Sequence, residues 1–285
     1  MARCELCPRR CGVDRLNGEL GYCRTGRRAR VASYSPHFGE ESPLVGTHGS
    51  GTVFMSSCNL LCSFCQNREI SHGNEGQDAE PDQIAQVMLL LAEQGCRNVN
   101  VVTPSHVVPQ ILEALVIAAG RGLNVPLVYN TGGYDEVETL RLLDGVVDIY
   151  MPDFKFWDGA RSARYCDAPD YPEKARTALR EMHRQVGDLE LDENDLARRG
   201  LVVRHLVMPG GIAGTRRIAE FIAGEISPDT YVNVMDQYRP CGDACRDETI
   251  DRRLTAQEFR EAAAAAGEAG LHRLDPRDRV RLALF

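Results

Sequence analysis

From Gly51 onward, short apolar runs alternate with amphipathic stretches, and this alternation restricts the fold more than any single residue does. The runs 52–57 (TVFMSS), 97–103 (RNVNVVT), 125–130 (VPLVYN), 146–153 (VVDIYMPD), 201–208 (LVVRHLVM) and 230–237 (TYVNVMDQ) read as strands. Between them, 80–95, 106–121, 135–143, 172–187, 214–225 and 255–270 carry helical spacing. Asp78 and Pro81 open the first of these, and Gly95, Gly122 and Gly270 stand at helix ends. Strand, helix, strand, helix predicts parallel βαβ units joined by right-handed crossovers. Six units are too few for a closed eight-stranded barrel, so the expected fold is α/β, a partial (β/α)6 TIM-like barrel spanning 51–285. A doubly wound nucleotide-binding sheet is the competing topology, but no GxGxxG follows the first strand.

Residues 1–50 read differently. Three of the first eleven residues are Cys, Gly recurs at 12, 18, 21 and 26, and no apolar period persists for ten residues. This stretch is expected to be a loop-dominated, Cys-rich extension that needs a metal to hold itself together. Its charge also sets it apart. Residues 1–30 hold eight Arg against Glu5, Asp14 and Glu19, which makes them +5 within a chain of net charge −8. Eleven cysteines with no signal peptide and no apolar run near 18 residues argue against a secreted disulfide scaffold and against a membrane span. Reduced thiols in a cytoplasmic protein, available for metal, are the expectation. Of the 33 basic residues only Lys155 and Lys174 are lysines, so a retained Lys invites a functional reading; Lys174 reads equally as a solvated helix charge.

Directly after the first strand comes Cys58-Asn-Leu-Leu-Cys62-Ser-Phe-Cys65, a C-x3-C-x2-C triplet at the carboxyl end of a strand, where (β/α) barrels build active sites. A closed structural zinc site wants four ligands. Three closely spaced thiolates suit a four-iron cluster with one iron left open. The polar neighbours Asn59, Ser63, Gln66 and Asn67 count against three Cys acting merely as small apolar packing residues.

The triplet, with the aromatic Phe64 before its last Cys, resembles the signature of the radical SAM superfamily. In that family three Cys hold a [4Fe-4S] cluster, whose open iron binds the amino and carboxylate groups of S-adenosylmethionine (SAM). Reductive cleavage of SAM then yields a 5'-deoxyadenosyl radical that abstracts hydrogen from a substrate. The resemblance implies that Cys58, Cys62 and Cys65 are cluster ligands and that residues around Phe64, including Asn67, line the adenine. It extends to the activating enzymes of glycyl radical enzymes such as pyruvate formate-lyase, whose Asp-Thr-Asn-Gly and Met-x-Asp-x-Lys segments correspond to Asn130-Thr131-Gly132-Gly133 and Met151-Pro152-Asp153-Phe154-Lys155. By position, Thr131, Met151 and Asp153 belong to a monovalent cation site for Na+ or K+, Met151 through its carbonyl, and Lys155 contacts SAM. Asn130 stands where the family has Asp and removes one negative charge. The family's Gly-Gly-Glu stretch is replaced by Asn100-Val-Val-Thr103-Pro104-Ser105-His106, which leaves open whether Thr103, Ser105 or His106 meets the SAM amino group. Arg204-His205-Leu-Val-Met208-Pro209-Gly210-Gly211 resembles the family's Arg-x-x-Val-x-Pro-Gly element. There His205 stands either as a cofactor-site residue or as a satisfied wall residue. Tyr238, where the family has His, is read as hydrogen-bonding substrate or closing the pocket. These departures match a branch grouped with the pyruvate formate-lyase activating enzymes that also begins with a four-Cys motif.

That motif is Cys4-x2-Cys7-x3-Cys11-x11-Cys23. Four thiolates can close a tetrahedral site, and zinc and an auxiliary iron-sulfur cluster both fit the count; zinc is favoured because the spacing is not that of a ferredoxin. A nucleic-acid reading of the basic arm fails on size, since Arg27, Arg28 and Arg30 make a small patch. Cys241 and Cys245 form a pair without a site, and Cys96 and Cys166 have no assigned task.

Two classes of function follow. The first is a radical SAM enzyme, with a glycyl radical enzyme as the inherited partner, or else a small-molecule or peptide substrate with the N-terminal arm as a lid. The second is a non-catalytic iron-sulfur or zinc protein for electron transfer or interaction. The enzyme needs a low-potential reductant of the flavodoxin or ferredoxin type.

Overall fold

The computed structural model describes residues 1–275; the last ten residues of the expected barrel span, 276–285, lie outside them. Its strands are β1 (Ala29–His37), β2 (Ser50–Met55), β3 (Gln77–Ala79), β4 (Val99–Val102), β5 (Leu127–Thr131), β6 (Ile149–Pro152), β7 (Glu190–Leu191), β8 (Ala197–Leu206), β9 (Tyr231–Met235) and β10 (Arg273–Leu274). The sheet runs β10-β9-β8-β6-β5-β4-β2-β1-β3, with β7 paired to β8. From β2 through β4, β5, β6, β8 and β9 to β10 every pairing on this path is parallel. These are the six expected strands with their ends shifted by a few residues, β2 and β8 starting earlier than expected, and β10 extends the sheet. The chain is therefore an open, partial (β/α)6 barrel.

The crossover helices are Pro81–Glu93, Val108–Gly120, Val137–Arg141, Tyr171–Val186, Thr215–Phe221 and Ala256–Glu268; all fall inside their expected windows except Tyr171–Val186, which starts one residue early. Local chemistry fixes their ends. Glu80 and Gln83 form a capping box before the first, and Thr255 and Glu258 form another before the last. Helix Gly159–Cys166 was not expected. It is short and strongly polar, and the Asp158 side chain caps it by accepting the Arg161 N–H. Among the described residues no helix is long and apolar enough to cross a membrane.

Residues 29–37 correct the reading of 1–50 as loop and turn. β1 pairs antiparallel with β2 and with β3, so the sheet begins at Ala29. What remains irregular is the cysteine-bearing stretch 1–28, apart from a short 3-10 turn at Arg15–Asn17. The basic patch is also largely neutralised, because Arg28 pairs with Glu80 and Arg30 with Asp78.

The period-2 alternation of strands sorts side chains to two faces. Tyr129, Tyr150, Leu201, Val203, Val232 and Val234 pack outward in the large core shared with helix residues such as Ile84, Met88, Ile111, Leu179 and Met182. Val128, Ile149, Met151, Val202 and Tyr231 form a smaller cluster with Leu44 and no crossover-helix residue, which is the inner face. Beyond this apolar plug the inward positions turn polar: Asn130, Asp153 and Arg204 stand at the carboxyl ends of their strands.

Candidate functional site

One cavity of about 150 Å³ opens at these carboxyl ends. Its lining joins Cys58, Cys62 and Cys65 to Asn67, Thr103, Asn130, Thr131, Asp153, Lys155 and Arg204. Segments more than a hundred residues apart in sequence thus meet at one place, because each leaves its strand at the same end of the barrel. The backbone is held tightly there. Ser57 (φ +70°) and Thr103 (φ +63°), at the exits of β2 and β4, are non-glycine residues in the left-handed region, a cost of roughly 1–2 kcal/mol each that surrounding structure must offset. The Thr103 N–H donates to the Asn130 carbonyl (2.8 Å).

A half-buried ion network forms the cavity's charged side. Asp153 lies 2.6 Å from Lys155 Nζ and accepts from Arg204 Nε (2.9 Å). Arg204 Nη2 donates to Asn130 Oδ1 (2.7 Å), and Arg204 Nη1 lies 3.6 Å from Glu40. Burial alone would raise the Asp153 carboxyl; the adjoining guanidinium and ammonium outweigh it and hold the group below the usual carboxylate range. Lys155 loses solvation on burial, but Asp153 more than restores its charge and lifts it well above an ordinary lysine. The Glu40 carboxyl is raised, burial winning over its Arg204 and His37 neighbours. On the cavity lining itself two cationic side chains, Lys155 and Arg204, face one carboxylate, Asp153, while Glu40 and Glu41 act on Arg204 from outside the lining.

The Tyr171 hydroxyl fixes Lys155 from behind. It accepts the Lys155 N–H (2.9 Å) and lies 2.9 Å from the carbonyls of both Gly132 and Asp153, tying the ends of β5 and β6 together. Gly133 (φ +77°) permits that closeness, since a Cβ there would stand 2.2 Å from the Asp153 carbonyl oxygen.

The three thiols fit a cluster of the expected kind. All line one wall; the Leu60 N–H donates to Cys58 Sγ (3.3 Å) and Ser71 Oγ lies 3.1 Å from Cys65 Sγ. Burial pushes the Cys58 thiol up to about 12, so these groups stay neutral until a metal ionises them. Cys166, assigned no task from sequence, has its sulfur 3.3 Å from that of Cys62 and is fully buried. It stands 104 residues from Cys62, and no spacing in the sequence joins the two.

Several expected site residues stand elsewhere. Phe64 packs edge-on against Phe156 (5.9 Å between centroids) and beside Tyr238 (6.2 Å), so its ring belongs to the core. The Tyr238 hydroxyl donates to the Ile250 carbonyl (2.8 Å), which removes it as a substrate contact. His205 is turned away from the cavity by the alternation that points Arg204 inward. Its ring nitrogens lie 2.7 Å from the Phe154 carbonyl and 2.8 Å from Thr215 Oγ1, and burial lowers it to about 4: a satisfied wall residue. Met151 sits in the inner plug, below the cavity. Thr131 and Asp153 line the cavity, and Thr131 Oγ1 donates to Asp135 (2.6 Å) and lies 2.9 Å from Ser105. His106 and Ser105 also face away from the lining; His106 Nε2 lies 2.9 Å from the Ser56 carbonyl, and burial lowers its ring to about 4. Sequence reasoning undervalued Arg204, Tyr171 and Glu40. Arg204 stood in the Arg-x-x-Val-x-Pro-Gly element, but only the register of β8 beside Asp153 turns it to the cavity; the other two come from elements whose placement only the fold sets.

The N-terminal cysteines surround a second cavity, of about 10 Å³, lined by Cys4, Cys7, Cys11 and Cys23 with Arg9, Arg10, Arg15 and His106. Among the described residues no three His, Cys, Asp or Glu side chains already converge closely enough to hold one ion. This module does not lid the larger cavity, whose lining includes no residue before Met55. It docks beside it: Arg9 donates to the carbonyls of Asn59 (2.9 Å) and Asp167 (2.5 Å) and stacks over Tyr22 (3.8 Å to the ring centre). Segment 241–245 docks too, the Asp243 and Ala244 N–H groups donating to the Ser63 carbonyl, while Cys245 is exposed.

Comparison with known proteins adds three findings. A family model described as the Radical SAM superfamily matches residues 52–187. The uncharacterized protein MJ0674 of Methanocaldococcus jannaschii is 32% identical over 276 residues, covering 94% of this chain and 75% of that protein. Among solved structures, HydG, a maturase of the [FeFe]-hydrogenase, matches with a TM-score of 0.56 at 13% identity, over 81% of this chain and 53% of that one. The chain thus spans about half of HydG, and at this identity the likeness speaks for the fold, in agreement with the open parallel barrel.

Proposed function

This chain belongs to the radical SAM superfamily, and from that premise we propose that the cavity at the strand ends is where it binds SAM and a [4Fe-4S] cluster. One observation carries the placement: Cys58, Cys62 and Cys65 share a single cavity with a net-cationic Lys155–Asp153–Arg204 network. Cys58, Cys62 and Cys65 would hold the cluster, which when bound would supply the electron for reductive cleavage of SAM and hydrogen abstraction from a substrate. The chain's own residues bind and orient. Lys155 receives the SAM carboxylate, its ammonium aimed by Asp153 and its backbone pinned by Tyr171. Asn130 offers its Oδ1, held in place by Arg204, for the amino group. Met55, Leu60, Ile70 and Val102 form the apolar side and exclude water.

The substrate reading is finer. A glycyl radical enzyme's loop is favoured over a small molecule because the N-terminal module stands beside the cavity rather than over it. A flavodoxin- or ferredoxin-type protein in a reducing cytoplasm supplies the electron. The four N-terminal cysteines hold zinc or an auxiliary cluster. Na+ or K+ is left to be tested by activity in each salt, since Asp153 already carries two cationic partners.

The test uses anaerobically reconstituted, reduced full-length chain given SAM, with 5'-deoxyadenosine measured. Product should form and should fall to background in Cys62→Ala. In Lys155→Met the concentration of SAM giving half-maximal rate should rise about 10- to 100-fold, the worth of one hydrogen bond to a charged group. No 5'-deoxyadenosine from reconstituted chain would sink the proposal and favour the electron-transfer class.

A further inference from the structure

Arg15 is a charge that radical chemistry at the strand ends does not use. It is 1% exposed. Its Nε donates to the Gly26 carbonyl (3.0 Å), its Nη1 donates to the His106 carbonyl (2.8 Å) and lies 3.7 Å from Cys4 Sγ, and its Nη2 is buried with no partner. Among the described residues no carboxylate pairs with it. A buried guanidinium of this kind is costly unless a negative charge stands nearby. The groups around it that can become anions are the cysteines: Arg15 lines the 10 Å³ cavity together with Cys4, Cys7, Cys11 and Cys23. Thiols become thiolates when they bind a metal.

A second observation prepares Cys11 for that state. The Tyr22 N–H donates to Cys11 Sγ at 3.3 Å, and Gly21 makes the approach possible, since a Cβ there would stand 2.8 Å from the same sulfur. Cavity size limits what fits. About 10 Å³ is the room of one water-sized probe, against about 150 Å³ beside Cys58, Cys62 and Cys65.

We propose that Cys4, Cys7, Cys11 and Cys23 bind a single zinc-class divalent ion as a tetrathiolate, with Arg15 as its buried counter-charge. This rests on the reading that the N-terminal cysteines hold metal, and decides it in favour of one ion over a cluster. Four thiolates around a divalent ion carry a charge of −2, which Arg15 and the cavity-lining Arg9 and Arg10 offset. The excess of arginine in residues 1–30 thereby acquires a task. The sulfurs border the cavity without yet converging, so binding draws them inward by side-chain rotation.

The test counts zinc, iron and acid-labile sulfide per chain in the full-length protein and in the Cys58→Ala/Cys62→Ala/Cys65→Ala variant, which removes the other metal site. The expected result is about one zinc per chain in both, with iron and sulfide lost only in the variant. Zinc should pass to a chromophoric chelator at least ~10-fold faster from Arg15→Met than from wild type, consistent with loss of a charged contact, and Arg15→Lys should fall between. Should Arg15→Met fail to fold, cobalt(II) substitution of the Arg15-containing chain still reads the ligands through the sulfur-to-metal absorption of a tetrathiolate. Iron with equimolar sulfide retained in the triple variant, or the absence of metal from it, would overturn the single-ion site. Wild-type release from a folded Arg15→Met would overturn the role of Arg15. The radical SAM reading is tested apart from this, since 5'-deoxyadenosine formation by the wild-type chain depends on the other three cysteines.

Discussion

Both cysteine groups line cavities on adjoining parts of the surface, but they face different company. The Cys58–Cys65 loop looks across about 150 Å³ to a lysine, an arginine and a carboxylate that hold one another in place. The Cys4–Cys23 module closes on about 10 Å³ with a buried arginine whose counter-charge is absent from its side-chain partners. A site that admits a second molecule keeps charged groups at its rim, positioned and accessible. A site that holds one ion encloses it and needs charge balance from the wall. Arg9 joins the two, with its guanidinium on the Asn59 and Asp167 carbonyls, so the module braces the catalytic loop without entering its cavity.

The comparison can be broken at several points. The largest effect on stability belongs to Arg204→Met, which strips Asp153, Asn130 and Glu40 of a shared partner at the barrel's open end. Breaking a fully buried pair from one side costs roughly 3–5 kcal/mol, an upper bound for side chains that keep 16–18% of their exposure, and the urea midpoint should fall; an unchanged midpoint would mean the network is solvated and not structural.

A pH effect comes next, from the wall rather than from either cavity. The buried His205 ring is lowered to about 4, chiefly by desolvation, whereas the unfolded chain takes its proton near the ordinary value of 6.5. The folded state therefore refuses a proton that the unfolded state accepts. Stability from this residue is full above about 6.5 and is lost as pH falls toward 4, a change on the order of 3 kcal/mol. Denaturation series at pH 7.5 and 5 should show the loss in wild type and a shallower one in His205→Gln. Equal slopes would place His205 in contact with solvent.

The smallest effect tests the brace. Arg9→Ala removes a ring stack and the bonds to the Asn59 and Asp167 carbonyls, which should cost about 1–3 kcal/mol and loosen hydrogen-exchange protection at 58–62 more than in β9. Uniform protection would show that the two regions are independent.

Much of this was legible in the sequence because it is periodic or closely spaced. The six parallel strands follow from apolar runs, and three cysteines within eight residues need no fold to be seen together. Lys155 stood out against a background of arginine. What was hidden depends on alternation and on distance along the chain. β1 was missed because its run Ala29–His37 is half polar and contains Pro36, as suits an antiparallel strand near the sheet edge. His205 and Arg204 are neighbours in sequence, and only the register of β8 against Asp153 decides which faces the cavity. Cys166 reaches Cys62 only through the placement of a helix of eight residues that is too short and too polar overall to stand out in the sequence.

The most direct measurement is electron paramagnetic resonance of the reduced, anaerobically reconstituted chain with and without SAM. A cluster on three cysteines with one iron open to SAM predicts a reduced-cluster signal that shifts when SAM is added, vanishes in Cys58→Ala and persists in Cys7→Ala. A signal indifferent to SAM, or one that survives Cys58→Ala and is lost with Cys7→Ala, would contradict the assignment of catalysis to the larger cavity.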